Sequence, residues 1–127
     1  MADKPYKLTI EQRQGYLYAR LETDQTGLDI MVGYGNELAA ALREAGVNKV
    51  LLENYAPIVY EQTKYSVAAS LFRNLVRGRV FFAIVDNGRN DRQYLGRATA
   101  AAKAAGLDAR YFGSIEAAEE WLLSAED

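Results

Sequence analysis

The chain has 127 residues, with 15 Lys and Arg against 17 Asp and Glu, a net charge of -2, and neither His nor Cys. This length suits one domain that buries about two thirds of its unfolded surface without disulfides or metals. The lack of imidazole and thiol groups excludes zinc sites of the usual kind, thiol catalysis and Ser-His-Asp hydrolysis, and the charge gives no basic footprint for nucleic acid. We therefore expect no nucleic-acid partner.

The start of the chain and its overall hydropathy bear on location. The first five residues lack the apolar core of a signal peptide, and no window approaches the ~18 apolar residues of a membrane span. We expect a disordered segment at residues 1–5, one domain over residues 6–127, no membrane insertion and a cytoplasmic location.

Alternating apolar and polar residues mark the beginning of the domain. Tyr6, Leu8 and Ile10 alternate with polar residues, and residues 16–22 resume the alternation after Gly15. This period is typical of strands with one buried face. The pattern predicts an antiparallel hairpin that turns near Gly15.

A first long helix is predicted over residues 28–45, ended by Gly46. Gly33 and Gly35 fall inside it and resemble part of a dinucleotide-binding loop, but a preceding strand and a third glycine are missing. The alternative is close packing of the helix or a bent first turn. The apolar residues at helical spacing are Leu28, Met31, Leu38, Leu42 and Ala45.

The unbroken apolar run at residues 80–85 dominates the sequence. Because a half-solvated strand would alternate, the run predicts a central parallel strand that is buried on both faces. Residues 49–53 predict a second buried strand. Parallel strands need helical crossovers, so the sequence indicates a small α/β domain with a mixed central sheet.

Apolar stripes predict three further helices. Pro57 suits the first turn of the second helix, Asp91 is the expected N-cap of the third, and Ser114 is that of the fourth. A short strand at residues 109–112 precedes the fourth helix, which Trp121 is expected to anchor on the sheet. The element order is then ββαβαβαβα. The stripes comprise Val67, Ala68, Leu71, Phe72, Leu75 and Val76; Tyr94, Leu95, Ala98, Ala101, Ala102 and Ala105; and Ile115, Ala118, Trp121 and Leu122.

Polar loops follow the two buried strands, at residues 53–58 and 86–91. Ligands of open parallel sheets bind beyond the carboxyl ends of the strands, so both loops belong to one candidate site. The second loop resembles a cation-binding cluster, but it lacks the spacing of a calcium loop, and turn formation explains its residues equally well. We expect no metal and no cofactor. The candidate binding residues are Glu53, Asn54, Tyr55, Pro57, Asp86, Asn87, Arg89 and Asn90.

Aromatic side chains suggest a second type of site, an apolar pocket between the sheet and the helices. Its candidate lining residues are Tyr34, Tyr55, Tyr60, Tyr65 and Phe72. Tyr60 and Lys64 also match the Tyr-x-x-x-Lys spacing of short-chain dehydrogenases. Since no cofactor fingerprint precedes them, two exposed residues one helical turn apart are the alternative interpretation.

The element order, the strands at residues 49–53 and 79–85, and the closing stretch at residues 110–122 resemble the STAS superfamily. The chain is most similar to the SpoIIAA-like branch, over residues 6–124. This resemblance implies a non-enzymatic domain that binds proteins or small ligands, typified by anti-sigma factor antagonists. The branch also resembles CRAL-TRIO lipid-binding domains, which implies a small apolar ligand as an alternative.

In those antagonists a phosphorylated Ser opens the helix after the middle strand, which corresponds here to residues 54–57. No Ser or Thr stands there, so the usual kinase switch is not expected. Thr63 and Ser66 lie farther along, where we expect the helix to be formed already.

Three functions follow, in order. The first is a regulatory domain that binds a protein partner, with a homodimer as a further alternative. The second is a carrier or sensor of a lipid-like ligand, and an enzyme comes third because no acid/base pair can be assigned. A connected apolar cavity would favour the carrier, whereas a filled core with exposed apolar loops would favour partner docking.

Overall fold

The computed structural model describes residues 4–25, 27–57, 62–76, 78–86 and 90–125. Within these ranges the order of elements is ββαβαβαβα, which confirms the predicted α/β fold class. The strands are β1 (Lys7–Arg13), β2 (Tyr16–Glu22), β3 (Lys49–Tyr55), β4 (Phe81–Asp86) and β5 (Asp108–Phe112). The helices are α1 (Leu28–Ala45), α2 (Gln62–Leu75), α3 (Arg92–Ala104) and α4 (Ile115–Ser124).

The sheet is mixed, and its strands lie in sequence order from β1 to β5. β1 and β2 form the predicted antiparallel hairpin, whose turn places Gly15 at a positive φ of 88°. The other neighbouring pairs are parallel. Because each crossover steps the same way along the sheet, right-handed connections put their helices on one face. α1, α2 and α3 therefore share that face, and α4 packs on the other.

β3, not β4, is the middle strand of this sheet, which corrects the expected central position of residues 80–85. β4 begins at Phe81 and pairs on both sides, with β3 and with β5. The sequential strand order leaves only β5 beyond it. The expected burial on both faces is also incomplete, because Phe82 and Ile84 are only half-buried.

The sheet separates two apolar cores. The larger core lies under α1, α2 and α3, and the smaller lies under α4. The strands contribute alternate residues to the two cores, as the pleat requires. Representative residues are Leu17, Leu21, Leu38, Val50, Leu52 and Phe72 in the larger core, and Tyr16, Leu51, Phe81, Val85, Ala118 and Leu122 in the smaller.

The stripe predicted for α2 is wider than the surface that α2 buries. Phe72 and Val76 are buried, but Val67, Leu71 and Leu75 are 40%, 43% and 37% exposed. Successive helical residues are separated by about 100°, so Leu71 and Phe72 cannot both point at the sheet. The exposed three form a second apolar line along the helix.

Two further features concern the helices. α2 begins at Gln62, so Pro57 lies outside the helix whose first turn it was predicted to enter. Asp91 and Ser114 are N-caps, as predicted: Asp91 Oδ1 accepts a hydrogen bond from the Gln93 amide, and Ser114 Oγ accepts one from Ala117. Throughout the ranges that the structure describes, every helix is too short or too polar to cross a bilayer.

Candidate functional site

Asn54 and Asp86 end the two strands at which the sequence places a binding site. They are opposite one another in the register of β3 and β4, and both side chains are buried. Asn90 Nδ2 donates to Asp86 Oδ1 at 2.7 Å and to the Ala56 carbonyl at 3.0 Å, and the Asn90 amide donates to Asp86 Oδ2 at 3.2 Å. Asn54 Nδ2 also donates to the Ala56 carbonyl, at 3.0 Å. These side chains hold the two loops together.

The structure thus brings three of the candidate binding residues into one network, Asn54, Asp86 and Asn90. The one carboxylate among them already accepts hydrogen bonds on both oxygens. Asn87 and Arg89 fall outside the described residues, and Pro57 is exposed beyond the network.

Glu53 and Tyr55 point away from this network, because β3 continues to Tyr55 and its side chains alternate between faces. On the α4 side of the sheet, Glu53 accepts one hydrogen bond from the Tyr18 hydroxyl and another, at 2.8 Å, from the Tyr55 hydroxyl. The expected single site is therefore divided by the sheet into two separate polar groups.

Arginines cover the aromatic rings of this second group. The Arg13 guanidinium lies 3.9 Å from the Tyr18 ring centroid, and that of Arg20 lies 4.6 Å from the Tyr55 ring. Burial, followed by the hydrogen bond to Glu53, raises the pKa of Tyr18 to about 12. We interpret the cluster as a polar cover for the part of the sheet that α4 leaves open.

An apolar cavity of about 110 Å³ lies on the opposite face, between the sheet and helices α1, α2 and α3. Tyr34, Tyr65 and Phe72, three of the predicted pocket residues, line it together. Tyr60 falls outside the described residues. Tyr55 is not a lining residue, because it lies on the α4 side of the sheet.

The sequence analysis did not identify the other lining residues. Two of them, Phe82 and Ile84, belong to the run that was expected to be wholly buried, and the cavity explains why they are not. Small residues at sheet-facing helical positions were the signal that could have indicated a void. The lining residues missed are Met31, Gly35, Leu38, Leu52, Ala68, Ala69, Phe82, Ile84, Ala98, Ala102, Leu107 and Ala109.

Tyr34 gives this cavity a polar group. Burial raises the pKa of its hydroxyl to about 12. Its ring meets that of Tyr6 edge to face at 6.3 Å, and no hydrogen-bond partner of its hydroxyl is found in the described part of the chain. The hydroxyl can therefore donate to, or accept from, a polar atom of a bound molecule.

A larger hollow, of about 490 Å³, lies at the other end of the sheet, near the amino ends of β3 and β4. Both arginines that line it are engaged: Arg43 donates to the Leu75 carbonyl at 2.6 Å, and Arg79 donates to Asp108 at 3.0 Å. The last carbonyls of α1 and α2 make this end unfavourable for anions.

Neither a model of a known protein family nor a curated protein matches this chain.

The position of Thr63 differs from the expectation. α2 begins at Gln62, so Thr63 stands in its first turn, where backbone amides lack helical partners, and it is exposed. The argument that placed Thr63 well inside the helix is therefore wrong. Ser66, one turn later, does lie within the helix.

Proposed function

We propose that this chain is a non-enzymatic binding domain that takes a small apolar ligand between its sheet and its helices. The observation that carries the proposal is the apolar cavity lined by Tyr34, Tyr65 and Phe72. A cavity costs stability because its walls lose contacts, and apolar cavities of this kind stay dry and accept apolar guests. A binding function accounts for the retention of such a void.

The size of the cavity limits the ligand. An apolar cavity of about 150 Å³ holds benzene, so this slightly smaller one suits a group of at most that size. The Tyr34 hydroxyl favours a ligand that carries one hydrogen-bonding atom beside its hydrocarbon part. A short alcohol, a phenol, or the end of a longer lipid-like molecule has this chemistry.

The test is a calorimetric titration with phenol, repeated on two matched variants of α3. Ala102 lines the cavity, and Ala100 is exposed on the same helix. Ala102→Leu should fill the void and abolish phenol binding, whereas Ala100→Leu should bind as the parent does. Equal phenol affinity in both variants would contradict the proposal.

We propose a second function, that of a regulatory domain which binds a protein partner, as the STAS resemblance implies. The observation that favours it is the line of exposed aliphatic residues on α2. In this proposal the partner surface moves from the loops after β3 and β4 to a helix, because Asn54, Asp86 and Asn90 bond to one another. Control by ligand occupancy or partner exchange replaces the serine switch of the antagonists.

A further inference from the structure

Val67, Leu71 and Leu75 recur every four residues along α2, and each is more than a third exposed. They form a straight apolar line about 12 Å long, from the helical rise of about 1.5 Å per residue. We call these three residues the α2 stripe. A line with this spacing is the pattern by which one helix receives another.

The stripe lies on the flank of α2 that faces α1. Arg73 marks the opposite flank, since it packs against Gly106 at the α3 end of the sheet. Leu71 lies about 160° from Arg73 around the helix. At the end of the stripe, the Arg43 side chain of α1 donates to the Leu75 carbonyl at 2.6 Å. The stripe therefore forms one wall of the groove between α1 and α2.

Positive charge surrounds this apolar line. α2 and α3 lie side by side and together carry five basic residues and no acidic one, although the remaining chain has ten basic residues against 17 acidic ones. Arg43 stands at one end of the stripe and Lys64 one turn before the other. The five basic residues are Lys64, Arg73, Arg92, Arg97 and Lys103.

The residues that project farthest from α2 distinguish a protein partner from a membrane. Thr63, Ser70 and Asn74 occupy the outermost line of the helix and are exposed. A helix that lies on a bilayer turns its apolar face outward and keeps polar residues away from the lipid. Here the apolar residues lie in a groove behind a polar ridge, where a flat lipid surface cannot reach them.

From this placement we infer that the groove between α1 and α2 docks an acidic amphipathic helix of a partner protein. The inference rests on the second proposed function and specifies the partner. The partner helix places apolar residues at a spacing of three to four on the α2 stripe, and Asp or Glu side chains toward Lys64 and Arg43. Three aliphatic residues form a small contact, so the complex is transient.

A synthetic peptide tests the inference on the full-length chain. The peptide is an amphipathic helix with Leu at i, i+4 and i+7 and Glu on both flanks, and its control has Lys in place of every Glu. NMR titration should show saturable binding of the Glu peptide, with shift changes along α2, and at least tenfold weaker binding of the Lys peptide. No saturation by about 1 mM, a Kd at the weak limit of specific binding, would overturn the inference.

Two matched variants locate the binding surface. Leu71→Gln removes the middle of the stripe, and Tyr94→Gln changes an equally exposed apolar residue on α3. Leu71→Gln should weaken binding of the Glu peptide at least tenfold without lowering the thermal midpoint, and Tyr94→Gln should leave the affinity unchanged. Peptide binding that ignores Leu71→Gln would overturn the docking site while leaving a partner-binding function intact.

Two further measurements separate the other occupants. Vesicles of phosphatidylserine and phosphatidylcholine should not sediment the chain, and analytical ultracentrifugation should show a mass that Leu71→Gln does not change. Vesicle binding lost in Leu71→Gln, or a dimer lost in Leu71→Gln, would assign the groove to a membrane or to a second copy and overturn the inference. Phenol binding in the cavity remains a separate test, because Leu71 does not line the cavity.

Discussion

Gly35 shows how one missing side chain positions a neighbouring helix. It is buried within α1 and lines the cavity, and a Cβ atom added there would lie 3.8 Å from the Phe72 ring. This is ordinary van der Waals contact. Gly33, two residues earlier, differs, because its added Cβ would lie 3.1 Å from the Tyr6 hydroxyl, which bonds Glu37. The close-packing interpretation of these glycines is confirmed.

Gly35→Ala should therefore raise the free energy of unfolding by about 0.5–1 kcal/mol, because it removes the entropic cost of a helical glycine without a clash. Gly33→Ala is the matched control and should gain less, since Tyr6 must shift. Urea unfolding of both variants makes the measurement. A destabilised Gly35→Ala variant would show that the gap beside Phe72 is absent.

Tyr18 links a buried hydrogen bond to the alkaline stability of the domain. Its pKa in the folded chain is about 12, above the ordinary value of 10 for tyrosine. The neutral hydroxyl is therefore favoured by folding, and this contribution is fully present below pH 10 and lost as the pH rises through 12.

Tyr18→Phe should lower the free energy of unfolding by about 1–3 kcal/mol at pH 7, since the buried Glu53 carboxylate loses a donor. Between pH 10 and 12 the parent should lose more stability than the variant, so that the two curves converge. Urea unfolding across this range is the measurement. Parallel curves would contradict the assigned role of the Tyr18 hydroxyl.

At the scale of elements, α4 is the only helix that covers the second face in the described part of the chain. Ala118 and Leu122 are buried, whereas Trp121 is half-buried between the Phe81 and Phe112 rings, with centroid distances of 6.0 and 5.6 Å. The Arg110 guanidinium lies 5.0 Å from the indole. Trp121 thus anchors α4 at the margin of its contact with the sheet.

Trp121→Ala should cost about 2–3 kcal/mol, less than the 3–5 kcal/mol of a fully buried aromatic ring. Glu120→Ala, on the exposed side of the same helix, should change stability by less than about 0.5 kcal/mol. Thermal unfolding of both variants compares them. Equal midpoints would show that α4 does not depend on the indole.

Hydrophobic periodicity was enough to predict the element types, because amphipathic helices and alternating strands have distinct periods. It could not separate the two apolar sides of α2, since the exposed stripe and the residues facing the sheet share one continuous pattern. It also could not place β3, whose last residues, Asn54 and Tyr55, are polar but remain paired with β2 and β4. A loop was expected there because side-chain polarity says nothing about backbone pairing.

The candidate sites show the same division. Tyr34, Tyr65 and Phe72 could be assigned to one pocket because they are apolar residues on the inner sides of neighbouring helices. The division between Asn54 and Glu53 could not be predicted, because it follows from the length of β3. The cavity itself depends on the combined size of many small side chains, which no local pattern reports.

At the scale of the whole molecule, the sequential strand order determines where binding can occur. Three crossover helices crowd one face, and the space between them and the sheet remains partly unfilled. The same crowding leaves the second apolar side of α2 exposed. α2 therefore contributes to both the cavity, through Phe72, and the proposed docking groove, through Leu71.

The central claim is that the cavity between the sheet and the three helices holds a small apolar ligand. The most direct measurement is a set of intermolecular nuclear Overhauser effects between benzene and the protein at saturating benzene. We predict contacts to Phe72, Ile84 and Ala102, which line the cavity, and none to Leu71. Contacts confined to Leu71 and the outer surface of α2, or no contacts at all, would contradict the claim.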